Sequence, residues 1–184
     1  MKPRNFGLTL VMLFMMVAPV VAQDSAKKSP APPPPCGQPE AAQFDFWLGE
    51  WEVLAKDRIV GHNLISRIQG GCTLLEEYTA AGGAFEGKSF NYFDPADDHW
   101  HQVWVDNSGT RLHLTGGFAD GQMVMSGDRM VKGKVSTDRI SWTDNPDGTV
   151  RQLWELSADG GETWQVLFDG LYRHPAEESE GGGE

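Results

Sequence analysis

FDFWLGEWEV, Phe44 to Val53, decides how the rest of this chain is read. It packs four aromatic residues and one glycine into ten positions. From Trp51 onward, short runs of β-type residues follow one another, separated by turn residues. Aromatics at the entrance to an all-β domain suggest a plug that closes one end of a small barrel.

The strands are expected near 50–57, 61–69, 72–79, 86–93, 99–106, 110–117, 121–126, 134–143, 149–156 and 164–172. Gly70-Gly71, Gly82-Gly83, Asp94-Pro95, Asn107-Ser108-Gly109, Asp120-Gly121, Asp147-Gly148 and Gly160-Gly161 punctuate them, and these are the residue types that hairpins use. No window sustains a helical period. About ten strands joined by tight turns describe an all-β, up-and-down antiparallel meander, which removes its exposed edges most simply by closing into a single barrel.

Period-two alternation shows which side chains point together. Trp100, Gln102 and Trp104 share a face, as do Ile140 and Trp142, and Val150, Gln152, Trp154 and Leu156. Trp164, Val166, Phe168, Gly170 and Tyr172 share another. These faces are assigned to the interior, with Glu76 and Tyr78 joining from the third strand. The segments 61–69 and 72–79 are mixed on both faces, and either face could point inward.

The flanks indicate compartment. Residues 1–22 carry Lys2 and Arg4, an apolar run from Phe6 to Val17, and Val20 and Ala22 where a signal peptidase selects small residues. The run falls short of the about 20 residues that span a bilayer, so the mature protein is expected to be exported to the periplasm or secreted, without membrane insertion. Residues 23–43, with Pro32 to Pro35, read as an extended linker. Residues 44–173 form the barrel domain, and the acidic, glycine-rich stretch 174–184 is expected to be disordered. The net charge is −11, and loss of Lys2 and Arg4 makes it two units more negative, which opposes nucleic acid as a partner. Cys36 and Cys72 are the only cysteines; in an oxidising compartment they are expected to pair. The bond would close a loop of about 37 residues, stabilising by roughly 3 to 4 kcal/mol.

The ordered set FDFWLGEWEV, GGCTLLEEY, SFNYFD, WHQVWVDNSG, VRQLWELSADGGETW and FDGLYR resembles a bacterial family of domains of unknown function. That family is grouped with the calycin-like barrels, beside lipocalins, fatty-acid-binding proteins and nitrobindins. The resemblance covers Phe44 to Arg173 and implies a barrel with a cavity, without supplying an activity. Gly49-x-Trp51 is similar to the lipocalin opening, which implies that Trp51 is a structural plug.

Other motifs carry less chemistry. Gly82 to Ser89 matches G-x-x-x-x-G-K-S, but a strand and turn follow where phosphate binding needs a helix. Ser157 to Trp164 matches the Asp-box S-x-D-x-G-x-T-W in a single copy; Asp159 and Trp164 are expected to stabilise a hairpin. His99 and His101 share a face, expected to be the outer one, and lack a third ligand for zinc. His113 would be the haem-ligand candidate if it pointed inward, although the matching histidine of nitrobindin-like barrels lies near the end of the barrel, where this chain has only His174. No metal or cofactor is assigned. No catalytic residue is assigned either, since no nucleophile or metal-hydrolase pattern occurs.

The leading expectation is an exported barrel that binds a small, largely apolar or aromatic molecule through Glu76, Tyr78, Gln102, Trp104, Trp142, Gln152, Trp154 and Phe168. The rivals are a filled structural or interaction barrel and, less favoured, an enzyme using Glu76 as acid or base.

Overall fold

A computed structural model describes residues 36–176. The signal sequence, most of the proline linker and most of the acidic tail lie outside the described residues. Ten antiparallel strands make up nearly the whole domain: β1 (Gly49–Ala55), β2 (Arg58–Ile68), β3 (Thr73–Ala80), β4 (Glu86–Asp94), β5 (His99–Asp106), β6 (Arg111–Ala119), β7 (Gln122–Val131), β8 (Lys134–Asp144), β9 (Val150–Ser157) and β10 (Gln165–Arg173). Each strand pairs with its sequence neighbours, and β1 pairs with β10 to close the barrel. The seam matches Glu52 with Arg173, Val53 with Tyr172 and Leu54 with Leu171. No helix among the described residues is long and apolar enough to cross a membrane.

All ten expected strands are present, and two differ in an instructive way. β7 runs five residues past its expected end at 126, because Lys132 and Gly133 alone make the turn, both at positive φ. Gly127, the first residue past that expected end, is where β6 crosses closely: a β-carbon there would sit 2.0 Å from the His113 carbonyl oxygen. In β10 the pairing with β9 shifts between Val166 and Phe168. That bulge puts Val166 opposite the outward Glu155, so Val166 and Trp164 leave the inner face while Phe168, Gly170 and Tyr172 keep it. The assignment of Trp164 and Val166 to the interior is therefore corrected.

The two undecided strands turn Gly61, Asn63 and Ile65 inward from β2, and Leu74, Glu76 and Tyr78 inward from β3. His113 lies exposed on the outer face between the buried Leu112 and Leu114.

One end of the barrel is solid. A 3-10 turn at Asp45–Trp47 sends Phe44 and Trp47 fully into the barrel, stacked at 4.8 Å between ring centres. Trp100 and Trp142 meet Phe44 edge-on at 5.6 and 5.2 Å. Trp51, from β1, donates its indole N–H to the Trp47 carbonyl (2.9 Å) and stacks on His174 at 3.9 Å. Phe44 and Trp47 thus close this end, with Trp51 wedged at its wall.

Residues 36–43, read from sequence as spacer, pack on the same end. Cys36 and Cys72 form the expected disulfide. Pro39–Ala42 form a 3-10 turn with Ala41 buried, and Gln43 accepts the Trp100 indole N–H at 3.2 Å. Arg67 ties this layer down by donating to the carbonyls of Gly71 (2.6 Å) and Ala41 (3.0 Å) while pairing with Asp45. The packed domain accordingly extends upstream of Phe44.

Candidate functional site

Moving away from the plug, the interior changes from apolar to polar and then to hollow. Midway, β2 to β5 each turn a polar side chain inward: Asn63, Glu76, Ser89 with Asn91, and Gln102. Their hydrogen bonds converge on Glu76 from both sides. Gln102 donates to Asn91 (2.8 Å), Asn91 to Ser89 (2.8 Å) and Ser89 to Glu76 Oε2 (2.6 Å), while Asn63 donates to Glu76 Oε1 (2.8 Å). Across the barrel, Tyr172 of β10 donates its hydroxyl to Gln152 of β9.

Glu76 is the electrostatic centre of this belt. Burial disfavours its charge more than the Ser89 and Asn63 bonds favour it, and its pKa is pushed up to about 7. Burial, followed by the charge of Glu76, also raises the pKa values of Tyr172 and Tyr78.

Above the belt lies a cavity of about 360 Å³. Glu76, Gln102, Gln152 and Tyr172 line its floor. Tyr78, Phe85, Trp104, Trp154 and Phe168 form an aromatic wall, and Leu112 and Ile140 fill the gaps. Asp106, Ser108, Thr110 and Leu167 stand at the mouth, where Ser108 and Leu167 are exposed.

The wall is held by the backbone beneath it. Tyr78, Trp104 and Phe168 lie over Gly61, Gly87 and Gly170, where an added β-carbon would fall 2.4, 2.1 and 2.3 Å from the respective side chain. Strand glycines leave room for such close approach. Two indoles are oriented further by carboxylates. Trp104 donates to Asp106 (2.9 Å), and Trp154 to Asp138 (2.7 Å), which is fully buried and paired with Arg129. Burial works against the charge of Asp106, but bonds from Ser108, Trp104 and Thr110 prevail and hold its pKa below the usual value.

Seven of the residues expected to bind a ligand are brought together here: Glu76, Tyr78, Gln102, Trp104, Gln152, Trp154 and Phe168. Trp142 is not among them. It sits two residues nearer the plug than Ile140, wholly buried beneath Phe44 and Trp47. Leu112, Ile140 and Tyr172 were not among the expected ligand contacts, and neither were Phe85, Asp106, Ser108 and Thr110, which flank hairpins where alternation no longer indicates direction, or Leu167 at the β10 bulge. Asn107-Ser108-Gly109 signalled the turn but not that it borders a cavity.

The remaining motifs lie elsewhere. Gly82 to Ser89 spans a hairpin turn and the start of β4, with no helix after Lys88. In the Asp-box, Asp159 accepts from Ser157 Oγ (2.7 Å) and the Thr163 amide (3.0 Å), and Thr163 above all holds its pKa down to about 2. Trp164 donates to the Gly161 carbonyl (3.1 Å) and carries Arg139 over its outer face at 3.8 Å. Near the plug, the ligand atoms of Asp94, Asp97 and His101 lie within 4.8 Å of one another. His101 thus has two carboxylates beside it that the strand pattern did not reveal, whereas His99 bonds the Asp97 carbonyl.

Compared with known proteins, the chain matches no family model and no curated sequence.

Proposed function

We propose that this barrel, exported and calycin-like in kind, binds one small, largely apolar or aromatic molecule in its open half. The observation that carries this reading is the aromatic-walled cavity over a polar floor, about 360 Å³ in volume and within the range of small-molecule sites. A barrel evolved only as a scaffold has no need to stop its packing halfway. The plug end is solid with aromatics, while the mouth end holds equally large rings back against strand glycines. The disulfide supports the exported reading, since such bonds persist in oxidising compartments.

Native mass spectrometry of the protein purified from its own exported fraction tests the proposal. A stoichiometric small molecule is expected, and adding it back should stabilise the fold by about 2.7 kcal/mol at a hundredfold excess over its Kd. A bare mass together with no thermal shift from any apolar probe would return the barrel to a structural role. A carboxyl group with a pKa of about 7 in an apolar cavity also keeps an acid–base enzyme as a second reading. Glu76→Gln would then abolish turnover and spare binding.

A further inference from the structure

We infer that the molecule taken by this cavity is an amine: an aromatic or branched apolar body carrying a protonated nitrogen that meets the Glu76 carboxylate at the floor. The inference rests on the ligand-binding reading above and adds the sign of the ligand's charge.

Among the described residues, the cavity is lined by two carboxylates, Glu76 at the floor and Asp106 at the mouth, and by no lysine, arginine or histidine. Arg129 is paired with Asp138 and does not line the cavity. A carboxylate or phosphate ligand would enter past one negative charge and stop at another, with no cation to receive it.

Most hydrogen-bond donors around the cavity are already engaged. The indole N–H groups of Trp104 and Trp154 are engaged by Asp106 and Asp138. The hydroxyl of Tyr172 is given to Gln152, that of Tyr78 to the Val60 carbonyl, and that of Ser108 to Asp106. The amide of Gln102 is given to Asn91. The exception is the N–H groups of the Gln152 amide, whose oxygen takes the Tyr172 hydroxyl, so the walls keep few donors for an anionic or strongly accepting ligand. Acceptors remain, because each Glu76 oxygen takes one donor from the protein and a carboxylate offers about four lone-pair sites.

Trp104, Trp154, Tyr78, Phe85 and Phe168 give an aromatic lining around a carboxylate, and both features attract a desolvated ammonium while the rings also cover its apolar body. The groups facing Glu76 sharpen the pH behaviour. Tyr172 and Tyr78 have raised pKa values and do not titrate near neutrality, so Glu76 alone changes charge there. Amine binding should then strengthen as pH rises through about 7, with release of a proton.

The test uses three probes of one shape on the mature protein: 2-naphthylmethylamine, 2-naphthylmethanol and 2-naphthoate, measured by calorimetry at pH 6 and pH 8. The amine is expected to bind at least about tenfold tighter than the alcohol at pH 8, with the naphthoate weakest. Glu76→Gln, checked for folding by its melting curve, should lose most of that preference, its amine affinity falling close to its alcohol affinity. Equal affinity for amine and alcohol, or a preference that persists in Glu76→Gln, would overturn the amine assignment and leave the binder intact. Failure of all three probes to bind would overturn the amine assignment, and the binder reading would fall with it where the native protein also carries no small molecule and no apolar probe shifts its melting.

Discussion

The indole of Trp104 on β5 lies across Gly87 on β4, occupying the space where any other residue would place its side chain. The contact determines the shape of the cavity wall. Gly87→Ala must lift the ring off the strand, and overpacking of this kind costs about 1 to 3 kcal/mol. Urea denaturation should show a lower midpoint with an unchanged slope, and the displaced ring should weaken binding of an apolar probe. Wild-type stability in this variant would mean that the ring has another place to rest.

Stability should fall as pH rises from about 4.5 to about 7, through the titration of Glu76. Its folded-state pKa lies above its unfolded value, so folding favours the protonated form. The contribution is complete below the unfolded pKa and lost as pH passes the folded one. The cost of holding the charge above pH 7 is about 3 kcal/mol. Glu76→Gln cannot ionise, and the difference between its pH–stability curve and that of the wild type should isolate this slope. The exposed carboxylates with lowered pKa values, Asp97 and Asp159 among them, act at lower pH and cancel in the comparison.

Arg129→Met should be among the most damaging single changes. Asp138 has no solvent exposure and takes both its ionic partner and two of its hydrogen bonds from Arg129. Removing the cation leaves a buried carboxylate uncompensated, a loss of about 3 to 5 kcal/mol by equilibrium unfolding. Converting the pair together, Arg129→Met with Asp138→Leu, should recover part of the loss. Failure to recover would point to the Trp154 indole, which donates to Asp138, as the larger dependant.

Reduction of the Cys36–Cys72 bond should cost roughly 3 to 4 kcal/mol in denaturant midpoint analysis. Because Arg67 holds the same segment to the barrel, Arg67→Ala should cost more in the reduced protein than in the oxidised one. Equal costs in both would show that the disulfide and Arg67 act independently.

Much of the barrel was legible because most hairpins announce themselves in their turn residues and several strands in their alternation, although the Lys56-Asp57 and Lys132-Gly133 turns were not read as turns. Val166 shows where that logic fails: a single extra residue at Leu167 reverses the face, and nothing in composition marks a bulge. The polar belt was half legible. Gln102 and Gln152 stood out on aromatic faces, whereas Asn63, Ser89 and Asn91 were hidden in strands whose two faces are equally mixed. Gly61, Gly87 and Gly170 were legible only as weak strand positions. What they do depends on a ring arriving from a neighbouring strand or from two residues away, a relationship in space that no local pattern encodes.

Cys36, fixed to Cys72 at the start of β3, and His174, stacked on Trp51, bring the first and last described parts of the chain to the same pole. The mouth is at the opposite one. A tag or fused partner joined directly at the first or last described residue would therefore start from the sealed face. A point of attachment there lies behind the cavity and away from its mouth.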